Sequence, residues 1–167
     1  MESPYTAAME VPMFDGSDSE NLTALWRELV STKFRSDRTL YGVIRLRNVD
    51  LTAVDISNTI MGGRNWHGSK LFCANLSDSD LSFSTLTAVD LGCSKCKNTN
   101  FFKANLANTD LSRADLRGAN LSESDLRGAN LRGANLRGAN LKGADLRGAI
   151  LDGALMPRRA NLCDAKF

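Results

Sequence analysis

The chain has 167 residues and nearly balanced charge, with 21 Lys and Arg against 19 Asp and Glu, for a formal net charge of +2. That length suits one domain, and no run of 18 apolar residues is present to form a membrane-spanning helix. The single histidine, the lack of a recognisable nucleophile–base pair and the absence of a phosphate-binding glycine loop argue against catalysis, and no cofactor or metal site is expected.

Residues 1–16 show no period and hold two of the three prolines, which reads as an irregular N-terminal arm. The arm is acidic and has no basic segment leading into an apolar core, so a secretory signal is not expected and the cytoplasm is the expected compartment. Residues 17–40 read as a capping helix and its connection. Ser17 and Glu20 have capping-box spacing, and Leu22, Leu25, Trp26, Leu29, Val30 and Phe34 keep the i, i+3, i+4 pattern of a helix over about 18–34. Its mixed charge favours a cap for whatever follows over a membrane-surface helix.

From 41 to 167 the pattern changes. Between Leu46 and Leu151 a large apolar residue falls at every fifth position, 22 times, and 17 of these are Leu. The others are Ile56, Met61, Trp66, Cys96 and Phe101. An α-helix turns every 3.6 residues and a strand alternates every two, so neither can keep a period of five on one face. The chain must coil so that each five-residue step turns the same way. Two residues before each large one stands Ala, Ser, Thr or Val in 20 of 22 cases, the exceptions being Ile44 and Arg64. Small and large residues in alternation describe a filled interior. The position between them is mostly Asp or Asn, residues suited to turns.

The run Ala114-Asp115-Leu116-Arg117-Gly118 through Ala149 resembles the pentapeptide repeat family, whose consensus is A(D/N)LXX. The resemblance covers roughly residues 44–156 and the last eight residues. It implies an all-β solenoid, a right-handed quadrilateral β-helix with four repeats and so 20 residues per coil. In the family, gyrase-directed members imitate DNA with an acidic rod and dimerise end to end through the C-terminal coil.

The repeat is irregular in two places. Between 57 and 69, Met61 and Trp66 replace Leu and Arg64 takes a small-residue position. Trp exceeds a slot built for Leu, so this coil is expected to loosen, either as a degenerate early coil or as a binding bulge around Arg64, Trp66 and His67. Near 157–159 one residue is inserted, because Ala160-Asn161-Leu162 and Ala165-Lys166-Phe167 repeat the motif one residue out of phase. No amphipathic helix follows to cap that end, which leaves a natural docking surface.

Positions 20 apart should lie above one another. Lys97, Arg117 and Arg137 then form one outward column and Arg127 and Arg147 belong to the opposite one, a ring of positive charge partly offset by Asp115, Glu123, Asp125 and Asp145; it reads as a solvated, self-compensated surface or, as the sharper alternative, a polyanion site. Asn100, Asn120 and Asn140 share a column and are expected to form an amide ladder. Cys73 and Cys93 fall one coil apart, within reach of a disulfide or present as free thiols. Cys93 and Cys96 have C-x-x-C spacing but point to opposite sides of the wall. Phe72, Phe83 and Phe102 sit at outward positions and suggest a contact patch.

These features support a non-enzymatic scaffold or protein-interaction module whose partner is another protein, with an end-to-end homodimer through the C-terminal coil as a further expectation. A topoisomerase-directed DNA mimic is the alternative, disfavoured by ten basic against six acidic residues over 111–167. Nucleic-acid binding ranks third and membrane binding is not expected.

Overall fold

The computed structural model describes residues 46–167; the arm at 1–16 and the helix expected within 17–40 lie outside the described residues. From Leu46 onward the chain winds as a β-helix. The residue before each large apolar one forms a parallel bridge with the residue 20 further on, from Asp50–Lys70 to Asn135–Leu155. Four such bridges close each coil, so the coil has four sides, each shortened to a single bridging residue between turns.

The local reason lies in the backbone. At each large apolar residue the chain makes a four-residue turn, in most repeats closed by a bond such as Ala104 N–H to Phe101 O at 3.0 Å; at Leu46, Ile56 and Met61 the closing amide donates instead to a serine hydroxyl of the next coil. The third residue of these turns has positive φ, for example 59° at Phe83, 56° at Arg113 and 74° at Gly138. Positive φ at that position alone is the type II signature, which favours Gly or Asn there.

Every backbone donor of the repeat can be followed. In the unit around Leu91, the Leu91 amide donates to the Asp110 carbonyl of the next coil at 2.7 Å, and the Cys93 amide to Ser112 at 2.8 Å. The Ser94 amide closes the turn on Leu91 at 3.2 Å, and the Lys95 amide reaches back to Ala74 at 2.8 Å. The one amide left, that of Gly92, is taken by the Asp90 carboxylate at 3.0 Å. The same bond recurs at Thr52 with Asp50, Ala107 with Asn105 and Arg147 with Asp145. Asp or Asn precedes the large residue because only a short side-chain acceptor reaches that orphan amide.

The interior is a single column. Leu71 through Leu141 at five-residue steps, with Cys96 and Phe101 in the same series, are completely buried, as are the small residues Ala114, Ala119, Ala129, Ala134, Ala139 and Ala144. Where the small residue is Ser or Thr, its hydroxyl donates to an inward carbonyl, as Thr99 Oγ1 does to Leu76 at 2.7 Å and Thr109 Oγ1 to Leu86 at 2.6 Å. Buried hydroxyls are therefore satisfied.

The loosened coil expected at 57–69 is not there. The bridges Ile60–Asp80 and Asn65–Thr85 keep the 20-residue register, and Trp66 is 0% exposed. Burial of the indole removes more apolar area from water than the Leu it replaces, and the coil holds it without shifting register. The consequence is one orphaned donor: Trp66 Nε1 has no hydrogen-bond partner. Arg64 is half-buried and its amide donates to Ser84 Oγ at 3.2 Å, so its small-residue position is kept within the wall. His67 Nδ1 lies 2.7 Å from Thr87 Oγ1.

At the far end the bridge Asp145–Lys166 spans 21 residues in place of 20. The additional residue is taken up at Pro157–Arg158 and a 3₁₀ turn, Arg159–Leu162. Ile150, Leu155 and Phe167 stay exposed there. Among the described residues no helix is long and apolar enough to cross a membrane.

Candidate functional site

The outward residues come from the two middle positions of each turn, in four stacks, and from the bridging residue between turns. Phe83 and Phe102 belong to the stack of Leu81 and Phe101. Their rings meet edge to face with centroids 5.5 Å apart, and Lys103 Nζ lies 5.1 Å from the centre of the Phe102 ring. Lys103 is itself paired with Glu123 at 3.3 Å. Phe83 is 61% exposed and stands at a positive φ of 59°, a conformation that costs a bulky L-residue about 1–2 kcal/mol.

Phe72 does not join them. It belongs to the stack of Leu71 and Leu91, two turns and so half a coil away, on the opposite side of the tower. There its ring lies on Gly92, where a β-carbon would come within 3.1 Å of the ring. The three phenylalanines expected to form one patch are thus a pair and a singleton.

The basic residues resolve into two kinds. Arg117, Arg127 and Arg147 each follow an aspartate by two residues and grip it with Nε and one terminal nitrogen. The contacts are 2.7 and 2.6 Å for Arg117–Asp115, 2.8 and 2.6 Å for Arg127–Asp125, and 2.9 and 2.6 Å for Arg147–Asp145. The hydrogen-bonded guanidinium holds each carboxyl below the usual carboxylate range, Asp145 at about 2. Arg137 follows Asn135 and so has no such fork, and Lys97 follows Lys95. The offset expected from Asp115, Asp125 and Asp145 thus takes the form of forks, and these follow the triplet Asp-Leu-Arg, against Asn-Leu-Arg at 135–137.

The amide column forms. Asn120 Nδ2 donates to Asn100 Oδ1 at 3.0 Å and Asn140 Nδ2 to Asn120 Oδ1 at 3.4 Å. Asn100 in turn donates to Asp80 at 3.0 Å, which extends the ladder by one coil and ends it on a carboxylate.

Cys73 and Cys93 are free thiols in neighbouring coils on the Phe72 side. Cys96 points inward, and burial pushes its thiol up to about 12. Among the described residues no group of three or more His, Cys, Asp or Glu is arranged to hold a metal ion.

A coiled, four-sided wall with Leu-lined turns defines a solenoid whose described charged side chains lie on its outer surface. The pentapeptide repeat family model matches in eight copies, with matched segments at 50–87, 79–118, 94–133 and 114–153. The chain belongs to the pentapeptide repeat family. A pentapeptide repeat protein from Nostoc Pcc 7120 is similar at 33% identity, over 61% of this chain and 83% of that one, with a TM-score of 0.53. One from the cyanobacterium Cyanothece 51142 is also 33% identical, but the match spans 59% of this chain and less than two thirds, 63%, of that chain, with a TM-score of 0.42. The plasmid-mediated fluoroquinolone resistance protein QnrB1 is 22% identical over 72% of this chain and 66% of that one, with a TM-score of 0.39. No curated protein sequence matches the chain.

Proposed function

We propose that this protein is a non-enzymatic scaffold that presents its outer columns to a protein partner, with Phe83 and Phe102 as the central contact. The observation that carries this reading is Phe83: a phenylalanine 61% exposed, at a backbone angle that favours glycine, resting edge to face on a second ring. Within the tower the ring gains only its edge-to-face contact with Phe102, which at most offsets the cost of the angle, whereas a partner gains a rigid aromatic anchor of the kind that dominates protein interfaces. A partner isolated from the native source should bind the parent chain and lose affinity at least tenfold for the double variant Phe83→Ser, Phe102→Ser. Equal affinity for both would remove this pair from the interface.

The exposed Ile150, Leu155 and Phe167 support an end-to-end homodimer through the last coil. Sedimentation should then show a dimer that Leu155→Lys returns to monomer. The topoisomerase-directed reading gains no support from the charge distribution. Its test is a gyrase supercoiling assay, in which neither inhibition nor quinolone protection is expected. Binding to nucleic acid would require the guanidiniums of Arg117, Arg127 and Arg147 to leave aspartates they already grip, so DNA is not expected to bind even at low salt, where phosphate contacts are strongest.

A further inference from the structure

We propose that Cys73 and Cys93 form an accessible dithiol that closes reversibly to an intercoil disulfide by exchange with small disulfides.

The two residues are the third residues of successive turns in one stack, with φ of 57° and 55°. Their backbones are in register. The Cys73 amide donates to Gly92 O at 2.8 Å, and the Cys93 amide makes the equivalent bond to Ser112 O, also at 2.8 Å. The flanking bridge Lys70–Asp90 is parallel. Matching φ and the same ladder bonds set their side chains parallel, one coil apart. Parallel neighbours stand about 4.8 Å from each other, inside the Cα window of a disulfide. Their β-carbons, held parallel at about that same separation, stand farther apart than the ~3.8 Å a relaxed disulfide prefers. Closing the bond therefore draws two adjacent turns together against a ladder that holds them apart. A bond made under such strain, at the surface, is readily reduced, which is the property of an exchanging disulfide and not of a structural one.

The placement is selective. Cys73 is exposed and Cys93 partly so. Of the other cysteines, Cys96 faces the interior and is completely buried, and Cys163 lies in the last coil, where its thiol donates to Asp164 Oδ2 at 3.3 Å. Only Cys73 and Cys93 share a column in adjacent coils. Both stand at positive φ, as do Ala53, Arg113, Gly133 and Gly153 at the same position of this stack, so the backbone bears a cost for a side chain at each cysteine. The Phe72 ring lies on Gly92, and these two residues immediately precede Cys73 and Cys93 in their turns. Partial desolvation and then the neighbouring Cys93 thiol hold Cys73 above its ordinary thiol range, so exchange is slow near neutral pH and is best read at equilibrium.

With oxidised glutathione as the oxidant the step balances. One cysteine loses its proton and its sulfur displaces a glutathione thiolate, which gives a mixed disulfide. The second cysteine loses its proton and its sulfur attacks the cysteine sulfur of that mixed disulfide, releasing the second glutathione thiolate. Two cysteine thiols are oxidised to one disulfide, one glutathione disulfide is reduced to two glutathione thiols, and the two protons pass to the leaving thiolates.

The full chain, equilibrated in glutathione buffers of graded ratio, acid-quenched and alkylated, tests this by intact mass and peptide mapping. The expected result is a species lacking two hydrogens, with Cys73 and Cys93 linked, that returns to the dithiol in excess reduced glutathione. Cys96→Ala with Cys163→Ser should leave it unchanged, and adding Cys73→Ser to that double variant should give only a glutathione adduct on Cys93. Separate glutathione adducts on both residues of the parent chain, a link through Cys163, or a bond that survives excess reduced glutathione would each overturn the proposal.

Discussion

Gly138→Ala isolates the backbone geometry on which the coil depends. Gly138 is the third residue of its turn, with φ of 74°. A β-carbon there would lie 3.7 Å from the Gly118 nitrogen and 4.0 Å from its Cα, ordinary contact distances, so the substitution introduces no collision with the coil beneath. What remains is the intrinsic cost of an L-residue at left-handed φ, about 1–2 kcal/mol. Against it stands the smaller conformational freedom of alanine in the unfolded chain, which recovers about 0.4–1 kcal/mol. The net expectation is a loss of about 1 kcal/mol, or about 2–4 °C in Tm for a chain of this size. Gly138→Asn should cost less, because Asn visits this region more easily. Urea and thermal unfolding followed by circular dichroism give both values, provided the m-value is unchanged. An alanine variant as stable as the parent would refute the type II turn at this position and, with it, the explanation for glycine in the C-terminal repeats.

Three further outcomes follow from named contacts. Trp66→Phe removes a buried N–H that has no partner, which recovers about 1–3 kcal/mol and offsets much of the cavity left by the smaller ring; a loss above about 3 kcal/mol in urea unfolding would mean the indole nitrogen is bonded after all. Asn120→Asp sets a carboxylate oxygen against Asn100 Oδ1 in place of the amide donor, and should cost about 1–2 kcal/mol, with Asn120→Ser milder; unchanged stability would show that the ladder does not run in this direction. The Asp145 carboxyl is depressed to about 2 by Arg147, so its contribution to stability is complete above the ordinary carboxylate range and is lost as pH falls toward 2. Arg147→Gln should raise the Asp145 titration, read by carboxyl carbon NMR, toward the ordinary range, with the backbone amide of residue 147 and Lys166 still lowering it, and an unmoved midpoint would dismiss the fork as its main cause.

The sequence by itself determined the coil. A five-residue apolar period admits only a wall that turns at every repeat; the 20 residues per coil, implied by the resemblance to pentapeptide repeats and seen in the parallel bridges, then assign each residue to a side. The amide ladder and the divergence of Cys93 from Cys96 followed from that bookkeeping. The preference for Asp or Asn was visible too, but its specific cause, one amide per turn with no backbone acceptor, appears only when every donor is traced. The tertiary structure alone decided the rest, because a period specifies the direction of a side chain and not what it meets. Trp66 looked too large for its slot, yet burial of its ring held the register. Phe72 looked like a companion of Phe83 and Phe102, yet it packs on Gly92 across the tower. The arginine ring was expected to be partly offset by nearby acidic residues, and the structure shows how: three of its members fold back two residues onto aspartates. Each outcome depends on rotamers and on neighbours in the same or the adjacent coil, which are brought together only when the coils stack.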